Sequence, residues 1–147
     1  MEFVRENEPL MLIKAAETVS LAMRRHLQEV DEKITLPQMM VLSFLKQNPD
    51  ALIGDVARAT RLRASSLTGI LERMDKSGWI KRQKDKEDKR AVRLRLAPGG
   101  TKLLVKIEKA NKGFLTTFRK TLSGNDAKAL QSVCKKIFAA FGEEAGE

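Results

Sequence analysis

The chain has 147 residues, with 28 basic against 19 acidic side chains and a formal net charge of +9. A single cysteine excludes an intrachain disulfide, and one cysteine with one histidine cannot form a cysteine-rich or histidine-rich metal cluster. No apolar run is long enough to span a bilayer, and the N-terminus lacks the basic start and apolar middle of a signal peptide. We therefore expect a cytoplasmic protein with no membrane segment, no metal site and no cofactor.

The first half of the chain shows mostly helical periodicity. Apolar residues spaced by three and four predict a long first helix over 10–31. A second helix begins at a Leu-Pro pair, because proline is tolerated in a first helical turn, and spans about 36–48. A short third helix is expected over 53–60 and a fourth over 64–77, with a turn at 61–62 between them. The last pair predicts a helix-turn-helix.

A hairpin is predicted directly after the fourth helix. Gly78 lies where a left-handed C-terminal cap is needed. Residues 79–83 and 92–96 read as two strands, the second with strict alternation, joined by a charged turn at 85–90. A recognition helix followed by such a basic wing can present side chains to a major groove and a cationic loop to the neighbouring minor groove.

Two further helices are predicted at the end of the chain. A Pro-Gly-Gly sequence at 98–100 begins the fifth helix, and the segment 123–126 ends it and offers capping groups for a last helix that reaches Phe141. The apolar stripes of the first helix and of these two exceed what a small lobe can cover, so we expect a homodimer. The alternative is a helical bundle that closes on itself within one chain.

The predicted fold class is mainly α with a small β-hairpin. We expect an N-terminal dimerisation helix (1–34), a winged helix-turn-helix DNA-binding lobe (35–97) and C-terminal dimerisation helices (98–147). Residues 61–95 carry twelve basic and five acidic side chains, a net +7, so most of the net positive charge lies on the expected recognition helix and wing. Such a field attracts a polyanion through counterion release. The alternative is a surface that only keeps the protein soluble.

Five short segments point to a known family: IGDVA at 53–57, SSLT at 65–68, LERMDKSGWI at 71–80, the Asp-x-Arg pair at 88–90 and LAPGG at 96–100. They resemble the MarR (multiple antibiotic resistance regulator) winged-helix transcription factors, and the resemblance covers nearly the whole chain in element order. It implies a dimer with interlocking terminal helices whose two lobes bind a pseudo-palindromic duplex. It also implies regulation by a small-molecule effector or by oxidation.

Three positions depart from the family pattern. Arg61 stands where the family usually has the glycine of the helix-turn-helix turn, so either a strained conformation or a different turn is expected. Arg63 and Ala97 replace the usual hydroxyl caps, and each loses a capping bond typically worth about 1 kcal/mol. We consider that Arg63 could instead reach a phosphate or a guanine edge.

The expected DNA contacts follow from residue type. A bidentate Arg–guanine contact contributes about 1–3 kcal/mol of base discrimination, and an arginine in the wing can enter a narrow minor groove. The expected recognition-helix contacts are Arg63, Ala64, Ser65, Ser66, Thr68 and Arg73, the last of these towards phosphate or the wing rather than a base. The expected wing contacts are Lys86, Asp88, Lys89 and Arg90, with Asp88 orienting Arg90 or accepting turn N–H groups. The expected DNA-backbone contacts are Thr35 and Gln38, with ordinary helix capping as the alternative.

The sequence favours a regulator over an enzyme. With no tyrosine, one histidine and one cysteine, the inventory for catalysis is thin, so no catalytic residue is expected. Cys134 lies on the apolar stripe of the last helix, which favours a packing thiol over a redox sensor. We expect a sequence-specific double-stranded DNA-binding transcriptional regulator, most simply a homodimeric repressor relieved by a small-molecule effector. The alternative is a sequence-tolerant architectural or protein-interaction winged helix.

Overall fold

The computed structural model describes residues 7–142, as six helices and three short strands. The helices are α1 (Glu8–Val30), α2 (Leu36–Gln47), α3 (Ile53–Thr60), α4 (Ala64–Lys76), α5 (Pro98–Thr121) and α6 (Gly124–Phe141). The strands are β1 (Ala51–Leu52), which lies between α2 and α3, β2 (Ile80–Lys84) and β3 (Val92–Leu96). The predicted class, mainly α with a small β-hairpin, is confirmed.

The two outermost helices begin at polar caps. The Asn7 side chain accepts a hydrogen bond from the Leu10 N–H at 3.2 Å, so α1 begins two residues earlier than predicted. At α6, Ser123 and Asp126 form a reciprocal capping box. These bonds satisfy amide groups that have no partner within a helix, which fixes where each helix begins.

The recognition helix ends at Lys76, one residue before its predicted end, and Gly78 forms the predicted left-handed cap. Gly78 has φ +72°, and its N–H donates to the Asp75 carbonyl at 2.9 Å, while the Trp79 N–H donates to the Met74 carbonyl at 3.0 Å. This pair of bonds is a Schellman motif, which needs a residue in the left-handed region. The chain therefore turns sharply from α4 into β2, which packs against α4.

The sheet has three antiparallel strands in the order β1, β3, β2. β2 and β3 pair from Ile80 opposite Leu96 to Lys84 opposite Val92, so β2 begins one residue later than predicted. The third strand, β1, is not anticipated by the sequence, because two residues are too short to show a period. It pairs Ala51 with Leu94 and ties the end of α2 to the centre of the wing.

The core lies within the winged helix-turn-helix, and α1 and α5 cover one side of it. α1 packs against α5, and α2 contacts α3, α5 and β3. α6 contributes no buried residue. The fully buried large side chains are Leu27, Val41, Leu42, Leu45, Val56, Leu67, Leu71, Met74, Ile80, Leu94 and Ile107.

Large apolar side chains remain exposed on both terminal helices. Those on α1 are Met11, Leu12, Ile13, Val19 and Leu21, and those on α6 are Leu130, Val133, Phe138 and Phe141. No helix within residues 7–142 combines the length and hydropathy that a membrane crossing requires.

Candidate nucleic-acid interface

Helix α4 divides into a buried face and an exposed polar face. Its buried residues are Leu67, Ile70, Leu71 and Met74, the set that the sequence predicts. All six predicted recognition-helix contacts are exposed: Arg63, Ala64, Ser65, Ser66, Thr68 and Arg73. The Thr68 hydroxyl donates to the Ala64 carbonyl at 3.2 Å, so it can only accept a further hydrogen bond. The hydroxyls of Ser65 and Ser66 form no bond within the described residues and can both donate and accept.

Of the two possibilities for the turn before α4, a strained Arg61 or a different turn, the structure shows the strained Arg61. Arg61 has φ 54° and ψ 27°, in the left-handed region that glycine usually occupies. Arg63 follows as the N-cap without a side-chain bond, so its guanidinium is not used for capping. Ala97 likewise caps α5 without a side-chain bond, as expected.

The wing turn is shaped by its own hydrogen bonds. Asp88 Oδ1 accepts from the Arg90 N–H at 2.9 Å, and the Asp88 carbonyl accepts from the Ala91 N–H at the same distance. Asp88 therefore accepts turn N–H groups, one of the two roles expected for it. Lys86, Lys89 and Arg90 are all exposed, and no ion pair with them occurs within residues 7–142.

The root of the wing is held by two arginines of β3. The Arg93 guanidinium donates to the Asp50 carbonyl at 2.9 Å and to Asp85 Oδ2 at 3.2 Å. Arg95 Nε donates to Asp50 Oδ1 at 2.8 Å. Asp50, with φ 61°, thereby links the turn after α2 to β3 and to the first residue of the wing turn. Sequence reasoning missed this network, because the alternation of β3 shows only that both arginines point away from the core.

The network also shifts the pKa values of Asp85 and Arg93. The hydrogen bond from Arg93 holds the pKa of the Asp85 carboxyl below its ordinary value, although partial burial opposes this. The same bond raises the pKa of Arg93 above its ordinary value. Both groups therefore stay charged at neutral pH. Because these two charges pair with each other, the Arg93 guanidinium is less available to a polyanion than the exposed cations of the wing turn.

A model of the MarR family matches residues 34–92, which span α2 to the wing. The chain is 34% identical over 96 residues to the HTH-type transcriptional regulator FarR of Neisseria gonorrhoeae, covering 65% of this chain and 64% of that one. The chain belongs to the MarR family. It is also 34% identical over 70 residues to an uncharacterized HTH-type regulator, YfiV, of Bacillus subtilis, covering 48% of this chain and 44% of that protein. The chain thus spans about half the length of some curated relatives that it matches.

A solved structure of NadR in complex with 4-hydroxyphenylacetate is similar over most of the molecule. Its TM-score is 0.74 at 27% identity, and the similarity covers 87% of this chain and 89% of NadR. The likeness in fold therefore extends beyond the segment that the family model matches, into the terminal helices.

The two expected backbone contacts at α2 fall into different environments. Thr35 is exposed and forms a capping box with Gln38: Thr35 Oγ1 accepts from the Gln38 N–H at 3.4 Å, and Gln38 Oε1 accepts from the Thr35 N–H at 2.9 Å. Gln38 is only 5% exposed. Its geometry is that of a cap residue, the alternative considered for it, and a buried amide does not reach a phosphate. Thr35 alone remains a candidate contact.

An open cavity of about 400 Å³ lies between the end of α1 and the start of α2 in this MarR family chain. Arg24 and Glu32 line it together with apolar side chains that include Leu27, Ile34 and Met40. A cavity of this size, with mainly apolar walls and one cation beside one carboxylate, suits a small amphipathic molecule. Cys134 lies elsewhere, half-buried on α6.

Proposed function

We propose that two copies of this chain bind one pseudo-palindromic DNA duplex as a sequence-specific transcriptional repressor. Residues 35–97 form the DNA-binding lobe, and 1–34 and 98–147 hold the two copies together. The exposed apolar side chains of α1 and α6 support this division, because surfaces of that kind are usually covered by a partner. Two recognition helices fit successive major grooves when they lie about 34 Å apart.

The observation that carries the proposal is the pairing of an exposed polar helix face with an exposed cationic loop. Arg63, Ser65 and Ser66 are available on the N-terminal turn of α4. Lys86, Lys89 and Arg90 are available in the wing that follows it. We assign base contacts to the first group, phosphate contacts to Arg73 and Thr35, and minor-groove contacts to Arg90.

Selection of bound sequences from a random duplex pool tests this assignment. We expect one two-fold symmetric motif, and we expect the Arg63→Ala and Ser66→Ala variants to select altered motifs, because they remove base contacts. Arg90→Ala should keep the motif but bind more weakly. Arg119→Ala, which removes the same charge from the last turn of α5, is the control. If the wild-type protein enriches no motif from the pool, the alternative is favoured, which is an architectural or protein-interaction winged helix.

We further propose that a small aromatic carboxylic acid releases the repressor from DNA. NadR, which is 27% identical to this chain, was crystallised with 4-hydroxyphenylacetate. The cavity, lined by both Arg24 and Glu32, offers the Arg24 guanidinium for the carboxylate of such a molecule and apolar walls for its ring. The cavity joins α1 to α2, so a ligand there favours one placement of the lobe against the dimerisation helices. A ligand that favours the wrong spacing of the recognition helices weakens DNA binding.

Titration of the protein–duplex complex with 4-hydroxyphenylacetate tests this mechanism. We expect the DNA affinity to fall, and Arg24→Ala to abolish the response while leaving DNA affinity intact without ligand. Arg25→Ala, which removes the neighbouring charge outside the cavity lining, is the control. An unchanged affinity across millimolar ligand would contradict the choice of effector class.

A further inference from the structure

The turn of the helix-turn-helix lies against the C-terminal end of α6. Arg61 closes α3 in the left-handed conformation, and its guanidinium carbon lies 4.1 Å from the centroid of the Phe138 ring. Phe138 belongs to the last turn of α6, a helix with no buried residue of its own. One side chain thus joins the element before the recognition helix to a helix that we assign to dimerisation.

Two further features favour a cation at this point. The last turn of α6 contains no basic residue, although the carbonyl groups that end a helix carry partial negative charge. Gly142 follows that turn, and a Cβ there would clash with the Arg61 guanidinium, so the guanidinium lies at the helix terminus itself. Arg61 therefore supplies to α6 both a cation–π contact and the terminal charge that α6 lacks.

The backbone of Arg61 makes this contact informative. Only a glycine adopts the left-handed region without strain, and the strain of an arginine persists only where its surroundings hold it. The contact with α6 holds Arg61 in this way. It accounts for a long cationic side chain in a turn that a glycine would form with less strain.

We propose that Arg61 and Phe138 are positioning residues that fix the recognition helix relative to the C-terminal helix. The proposal rests on the proposed DNA-binding dimer. Helix α6 is held by the second copy, so its contact with Arg61 transmits the arrangement of the dimer to α4. Loss of the contact leaves the exposed polar face of α4 intact but lets the DNA-binding lobe move. The affinity then falls, because the duplex requires two recognition helices at a fixed spacing.

A double-mutant cycle on DNA affinity tests the proposal. The variants are Arg61→Gly, Phe138→Leu and their combination, measured by fluorescence anisotropy on the selected duplex over a range of salt concentrations. We expect each single variant to lose about three- to tenfold in DNA affinity, the usual range for a cation–π contact. The double variant should lose no more than either single variant, because both substitutions remove the same contact. Arg61→Lys should recover part of the loss. Arg58→Ala, which removes a charge from the same helix, should show no coupling to Phe138→Leu.

The salt dependence separates a positioning role from direct contact. If Arg61 acts through α6, the slope of log affinity against log salt is the same for Arg61→Gly and wild type. A shallower slope, additive losses, or an unaffected Phe138→Leu would overturn the proposal, the first by showing that Arg61 binds phosphate. Glycine fits the left-handed turn without strain, so Arg61→Gly should not lower the stability of the fold. A loss of DNA affinity at unchanged stability then cannot be explained by unfolding.

A second measurement keeps this test independent of the proposed function. Hydrogen exchange of the amides in the turn at 60–64 is followed in the free protein, in wild type and in Phe138→Leu. We expect faster exchange in the variant, because the contact restrains the turn. If no duplex is bound by the wild type, the proposed function fails while this comparison still reports on the contact. Equal exchange in both proteins would show that the contact restrains nothing.

Discussion

Substitution of Gly100 by alanine tests how closely Trp79, at the base of the wing, and helix α5 approach each other. Gly100 lies in the first turn of α5 and is buried against the backbone of Trp79. A Cβ at this position would overlap the Trp79 carbonyl oxygen and lie 2.8 Å from its carbonyl carbon. That oxygen already accepts the Ala97 N–H at 3.0 Å, so it is fixed from a second side.

The expected cost can be worked from this contact. Adding a methyl group to a well-packed site typically costs about 1–3 kcal/mol. The obstructing atoms at Gly100 are backbone rather than the end of a flexible side chain, which places the cost at the upper end. Alanine returns about 0.5–1 kcal/mol because it orders more readily in a helix than glycine. We expect a net loss of about 1–2 kcal/mol, or roughly 2–8 °C in Tm for a chain of this size.

Thermal and urea unfolding at one fixed protein concentration would measure the loss, since the stability of the proposed dimer would depend on concentration. Gly69→Ala is the matched control, because Gly69 lies in the middle of α4 with nothing within 4 Å of an added Cβ. That variant should gain about 0.5–1 kcal/mol. Gly100→Ala at or above wild-type stability, beside a normal Gly69→Ala, would refute the close approach of α5 to Trp79.

Three further predictions concern the wing and the helix caps. Arg93→Met should weaken DNA binding by releasing the root of the wing, and combined with Arg90→Ala it should cause little added loss, because both variants then remove the same groove contact; additive losses in an anisotropy titration would contradict this. The capping bonds from Ser123 hold the pKa of Asp126 below its ordinary value, so the stability from Asp126 is complete above about pH 4 and is lost as the pH falls further. Asp126→Asn should therefore flatten the loss of stability towards acid in urea unfolding, and an unchanged profile would show that the cap is absent. Thr35→Ala should cost about 1 kcal/mol of stability, with any larger loss of DNA affinity marking a phosphate contact.

Much of the fold could be predicted because its elements carry local signals. The apolar periodicity of α4, the glycine after it and the alternation of β3 each agree with the structure in position and burial. These are patterns whose physical cause lies within a few residues of the chain. The helix boundaries shift by only one or two residues, as at α1, where Asn7 provides the cap.

The features that could not be predicted depend on contacts between distant parts of the chain. β1 forms only because Ala51 meets Leu94, and Arg93 is recognisable as a structural residue only once Asp50 lies beside it. Gln38 illustrates the same limit: its spacing from Thr35 fits both a phosphate contact and a capping box, and only its burial separates the two. Residue type alone does not distinguish an arginine bound to protein from one available to DNA.

We propose above all that paired copies of this chain recognise the base sequence of a duplex. The most direct test of this proposal is the affinity of the purified protein for its selected duplex and for a scrambled duplex of equal length and composition, at physiological salt and with the stoichiometry determined. We expect two protomers per duplex and a preference of at least about a thousandfold for the selected sequence. Near-equal affinities with parallel salt dependence, or one protomer per duplex, would contradict the proposal.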